Sequence, residues 1–136
     1  MSQFDRSELL SLAKICYENY RHDDVISYIK EVIKMGTPLN PEERQILTYS
    51  YSALVLPYVN SIISCDALSV DVKLQIEINQ NANAETNRIC GEAIELLDSY
   101  WIKRDTNIEA MAYYKGFRAV LLGYIASTAS GQITNK

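Results

Sequence analysis

Apolar and polar positions alternate along this chain with the period of helices throughout. Leu9, Leu12, Ala13, Cys16 and Tyr20 recur at helical spacing, which places them on one face of a helix opening after Ser7. Arg21-His22-Asp23-Asp24 interrupts the pattern. The two aspartates suit the positive end of a second helix, whose Val25, Ile29, Val32 and Ile33 share a face. Gly36 is expected to stop it, since glycine tolerates positive φ. These two segments predict a helical hairpin. The third start is the best marked: Asn40 can cap, Pro41 suits the first helical position, and Glu43 stands three residues after the cap. Ile46, Leu47, Ser50, Ala53 and Leu54 continue from there. Pro57 lacks a backbone donor and crowds the preceding turn, so a kink or break is expected before Tyr58, Ile62 and Cys65 resume.

From Asp71 to Trp101 there is no proline and one glycine, Gly91. Ile78, Ala82, Glu85, Ile89, Ala93, Leu96 and Tyr100 step by three and four, which predicts a long amphipathic fourth helix. Thr106 and Glu109 repeat the capping-box spacing at the start of a fifth. Its stripe reads as Met111, Ala112, Lys115, Ala119, Leu122 and Ala126, and Gly131 is expected to end it. Five helices without an internal repeat predict an all-α antiparallel bundle.

Composition narrows the function more than the fold. A chain of 136 residues is one domain's worth. Its 5 Gly and 3 Pro argue against a β-sandwich or barrel. Lys and Arg number 13 against 17 Asp and Glu, a net charge of −4 that suits neither a nucleic-acid backbone nor an anionic membrane. No apolar run is expected to reach the roughly 18 residues of a membrane span. Cys16, Cys65 and Cys90 have no close spacing, and no secretory segment is legible at the N-terminus. Reduced thiols in a cytoplasmic protein are the expectation.

Candidate chemistry is sparse. His22 is the only histidine, and beside Asp23 and Asp24 it reads as a turn and surface cluster rather than a metal site. No Gly-x-Ser-x-Gly elbow and no glycine-rich phosphate loop is present. No catalytic residue, metal or cofactor is assigned, and an enzyme is not expected. Ten tyrosines are many for this length. Tyr49, Tyr51 and Tyr58 on the third helix and Tyr113, Tyr114 and Tyr124 on the fifth could line a groove, or pack with their hydroxyls at the surface.

Four strings carry a further message. Ser7-Glu8-Leu9-Leu10 through Lys14, followed by Arg21-His22-Asp23-Asp24-Val25, resembles the opening of 14-3-3 proteins. Leu39-Asn40-Pro41-Glu42-Glu43-Arg44-Gln45-Ile46-Leu47 is similar to the segment that opens the family's third helix, and Asn87 to Leu97 to a run on its fourth. Tyr113-Tyr114-Lys115-Gly116 is similar to the "K-M-K-G" of its fifth. The matches come in order and span the chain. The resemblance implies a non-catalytic adaptor: a 14-3-3-like domain over 1–136 that lacks the family's later helices. It implies protein clients, phosphorylated in the family, and a homo- or heterodimer that sets the first two helices against the partner's third and fourth. One family interface pair falls on Arg21 and Glu85, with both charges present; a second keeps Asp24, but its lysine partner is Asn81.

The phosphate cradle departs further. By resemblance its four positions fall on Ser52, Val59, Val120 and Leu121, where the family has Lys, Arg, Arg and Tyr. Each charge-assisted contact contributes about 1.5–3 kcal/mol, so this pattern implies a degenerate phosphopeptide site. Lys115 and Arg118 are the basic side chains left to a residual groove. A chain short of the later helices is also expected to expose Leu121, Leu122, Tyr124 and Ile125 as an apolar patch. The alternative reading is a tetratricopeptide-like scaffold that binds peptides between stacked hairpins, although Trp101 lacks that repeat's signature.

Overall fold

The computed structural model describes residues 3–101 and 107–133. Five α-helices appear among them, with no strand: α1 (Arg6–Glu18), α2 (His22–Lys34), α3 (Pro41–Leu68), α4 (Val72–Leu96) and α5 (Ile108–Ile133). A single π turn, Leu97–Trp101, continues α4. The all-α fold expected from the sequence is the fold observed.

Local chemistry explains the starts. Asp5 caps α1 two residues earlier than the periodicity suggested: its side chain accepts from the Glu8 amide while the Glu8 side chain accepts from the Asp5 amide. Asn40 and Glu43 close the same box at α3, with Pro41 following the cap. Asp71 caps α4 through the Lys73 amide. At α5 the Asn107 side chain accepts from the amides of Glu109 and Ala110. Thr106, the cap expected there, lies outside the described residues. Gly36 leaves α2 at φ 87°, as its position required.

The helices share one core, built from Leu9, Ala13 and Cys16, the α2 face, Leu47, Tyr51 and Val55, then Ile89, Cys90 and Ala93, and finally Ala110, Tyr114, Phe117 and Leu121. α1 pairs with α2, α3 packs on α2, α4 and α5, and α4 also packs on α5. Cys16, Cys65 and Cys90 are all buried free thiols.

Several expectations are corrected. Pro57 neither ends nor splits α3, which runs continuously from Pro41 to Leu68. A proline forfeits one backbone bond, and flanking packing can carry that loss; Ser61 Oγ also donates to the Pro57 carbonyl at 2.7 Å. Tyr20 is not a core residue but is 82% exposed, in a left-handed turn at φ 60°. The stripe assigned to α5 is rotated: Ala112, Lys115, Ala119, Leu122 and Ala126 are exposed, while Ala110, Tyr114, Phe117, Leu121 and Thr128 are buried. Apolar residues surround this helix, so periodicity alone selects no face. Gly131 lies within α5, whose preceding alanines favour helix more than one glycine opposes it. Finally, α3 is long and apolar enough to cross a membrane by length and composition, against expectation. Its first half is packed as a core helix, with Leu47, Tyr51 and Val55 fully buried, while its second half leaves Ile63 and Leu68 exposed.

Candidate functional site

α3 and α5 lie side by side, joined by hydroxyl and ring contacts along their length. The hydroxyls of Thr48 and Tyr113 are 2.7 Å apart, Tyr124 donates to Ser52 Oγ at 3.4 Å, and the Tyr51 and Phe117 rings pack with centroids 6.4 Å apart. The residues singled out by sequence collect around this seam with different fates. Ser52 is half-buried and its hydroxyl is engaged by Tyr124. Val59 is half-buried against the core cluster, and Val120 is 45% exposed. Leu121 is fully buried in the core. The apolar patch expected on α5 therefore loses Leu121, and Tyr124 and Ile125 pack partly against the core; only Leu122 is broadly exposed.

The basic residues do not converge on this seam. Arg118 Nε donates to Asp98 Oδ1 at 3.1 Å, which commits it to the π turn beyond α4. Lys115 is exposed and has no carboxylate partner among the described residues. Ser52, Val59 and Val120 present hydroxyl and aliphatic groups, and no ion pair among the described residues adjoins them.

A second region lies at the turn between α1 and α2. His22 Nδ1 sits 3.3 Å from Ser50 Oγ, and the His22 ring meets Tyr17, Tyr20 and Tyr49 edge-on at centroid distances of 5.9–6.4 Å. The tyrosines thus divide between both roles considered. Tyr51 and Tyr114 are buried, while Tyr20, Tyr49 and Tyr113 face solvent. Burial, with the Glu92 carboxylate adding to it, raises the Tyr51 hydroxyl well above the ordinary tyrosine range. Burial likewise raises the Cys90 thiol to about 11. No group of three or more His, Cys, Asp or Glu side chains is placed to hold a metal among the described residues.

The two residues expected at a subunit interface are each satisfied within the chain. Arg21 pairs with Asp24 at 2.6 Å and Glu85 with Arg88 at 2.8 Å, both three residues apart on exposed surface. A cavity of about 600 Å³ opens between the end of α3 and the start of α4, with Pro57, Cys65, Leu68, Leu74, Ile78 and Asn81 in its wall.

Sequence reasoning missed Tyr124 as the partner of Ser52, Asp98 as the partner of Arg118, and the buried setting of Arg44. The first two join positions 72 and 20 residues apart, which no local pattern announces. Arg44 was visible only as part of a motif string.

The motif strings implied a member of the 14-3-3 family, and comparison with known proteins bears that out. A family model described as 14-3-3 protein matches residues 12–136. The chain is 31% identical over 134 residues to 14-3-3 protein theta of Gallus gallus and of Homo sapiens, covering 93% of this chain and 55% of each relative. It is 31% identical over 135 residues to 14-3-3 protein beta/alpha of Mus musculus, covering 94% and 55%. The chain belongs to the 14-3-3 family. It spans about half the length of the curated relatives it matches, and the tetratricopeptide alternative is displaced.

Proposed function

We propose that this chain is a non-catalytic, cytoplasmic 14-3-3-type adaptor that binds partner proteins without reading phosphate. It needs no cofactor, and neither nucleic acid nor membrane is its partner. The observation that carries this is the uncharged lining of the α3–α5 seam around Ser52. Ser52 is engaged by Tyr124, Val59 and Val120 are aliphatic, Leu121 is in the core, and Arg118 is tied to Asp98. A phosphoserine would gain no ion pair there and would lose much of its hydration. Residues 1–136 are read as a single 14-3-3-like unit, and its exposed aliphatic groups favour an apolar client segment.

The unit pairs with a second subunit through its first four helices. The cavity between α3 and α4, and the exposed Leu68, Val72 and Leu74 near it, support that reading. Pairing would exchange the Arg21–Asp24 and Glu85–Arg88 contacts for contacts across the interface, a nearly balanced trade at exposed sites. Asn81 supplies no charge to Asp24, so the dimer is held mainly by apolar burial.

Fluorescence anisotropy tests the central point, using a labelled phosphoserine peptide and its unphosphorylated twin titrated with this chain. The expected result is no preference for the phosphorylated form. A phosphate-dependent gain of tenfold or more, about 1.4 kcal/mol, would overturn the proposal.

A further inference from the structure

The N-terminal ends of α3 and α5 enclose a second cavity, of about 410 Å³, lined by Pro41, Arg44, Gln45, Glu109 and Tyr113. Arg44 forms its basic wall, although the residue is only 6% exposed. One guanidinium nitrogen, Nη1, donates to the Leu39 carbonyl at 3.1 Å. The guanidinium carbon lies 5.6 Å from the centre of the Tyr113 ring and 5.9 Å from that of Tyr114. Nε is buried without a hydrogen-bond partner. No carboxylate among the described residues forms an ion pair with Arg44. The neighbouring Glu43 is taken by Arg6 at 2.8 Å.

A buried cation that holds one carbonyl and two ring faces is short of negative charge. Aromatic faces offset part of its desolvation, but they leave the Nε–H without an acceptor. That planar fork matches a carboxylate edge to edge, two donors to two oxygens. Glu109 is the one acid in the cavity wall and is exposed. It repels a dianion about twice as strongly as a monoanion, which offsets the dianion's stronger attraction to Arg44.

We propose that this cavity is a carboxylate-binding site, with the Arg44 guanidinium as the anchor, the Tyr113 ring as a side wall and Glu109 as a repulsive rim that limits affinity. The site lies eight residues along α3 from Ser52, about 12 Å by helical rise, and does not depend on the partner-binding reading of the seam. The carboxylate can come from a small organic acid or from an acidic side chain of a bound protein segment.

Nitrogen-15 NMR of the arginine Nε–Hε groups tests the proposal in the intact chain. The probes are sodium acetate, a capped glutamyl peptide with its glutaminyl twin, and inorganic phosphate, all at constant ionic strength set with chloride. The Arg44 signal, assigned by Arg44→Lys, is expected to move saturably with acetate while those of Arg21, Arg88 and Arg118 move little. Phosphate should bind no more tightly than acetate. Glu109→Gln, a surface change that leaves folding intact, should tighten acetate binding by roughly three- to tenfold at low salt. Saturation by the glutamyl but not the glutaminyl peptide would place the natural carboxylate on a protein segment. Saturation by acetate alone would place it on a small acid. Shifts that are linear in acetate, equal at all arginines, reproduced by chloride, or unchanged by Glu109→Gln would each overturn the assignment.

Discussion

Residues 41–55 and 56–68 are two halves of one continuous helix, and they live in different environments. The first half buries Glu43, Arg44, Ile46, Leu47, Thr48, Ser50, Tyr51 and Val55. The second half is the more apolar, yet it buries only Cys65 and leaves Leu56, Ile63 and Leu68 40–74% exposed. Apolarity therefore does not decide burial along α3; the neighbours do. Four helices converge on the first half, so even its charged Glu43 and Arg44 are enclosed. The second half meets α4 on one side and offers the other. The first half is where the chain stores its folding energy, and the second is where it presents surface.

The sharpest way to break this contrast is Tyr51→Ala, which should cost about 3–5 kcal/mol by emptying the fully buried centre of the first half. Urea denaturation measures it, and a loss below about 1 kcal/mol would mean the core does not rest on this ring. Pro57→Ala at the junction should act in the opposite direction, stabilising by about 2 kcal/mol, because it restores a backbone donor inside a helix that is already continuous. The thermal midpoint should rise accordingly.

Alkaline titration comes next. Cys90 belongs to the same cluster as Tyr51, and burial raises its thiol from 9.0 to about 11. Below pH 9 the thiol is protonated whether the chain is folded or not, so it adds no pH dependence. Between about 9 and 11 only the unfolded chain releases the proton, so stability should fall with a slope approaching about 1.4 kcal/mol per pH unit. Cys90→Ala should remove that component from urea midpoints measured across this range. Asn40→Ala, which deletes the cap of the first half, should cost about 1 kcal/mol by the same assay. The smallest effect is expected in the second half: Ile63→Ser, at a side chain 62% exposed, should change stability by less than about 0.5 kcal/mol.

The same contrast explains what the sequence made legible. The Asn40-Pro41-Glu43 start and the α2 face were readable because capping and one-sided periodicity are local. Buried positions Val25, Ile29, Val32 and Ile33 follow directly from spacing. Tyr51 was not separable from Tyr49 as a core residue, since both are tyrosines two positions apart and only the packing of α5 distinguishes them. The α5 face was misread because alanines and leucines surround that helix. Tyr20 looked like an extension of the α1 stripe, but the chain had already turned through a left-handed residue there. At the candidate seam, the replaced positions could be counted from the motif strings. That Tyr124 reaches Ser52, and that Asp98 takes Arg118, are properties of the assembled helices alone.

One oxygen atom ties much of this together. Glu43 Oε1 accepts from the Asn40 amide at the start of α3 and from Arg6 Nη2 at the start of α1, while Arg6 also reaches the Pro38 carbonyl. The first turns of two helices 37 residues apart in sequence are therefore closed by a single acceptor. The start of α3 and the docking of α1 become one cooperative event, and fraying at either is transmitted to the other. In hydrogen exchange, the amides of both first turns would open as a single unit rather than as two independent ends.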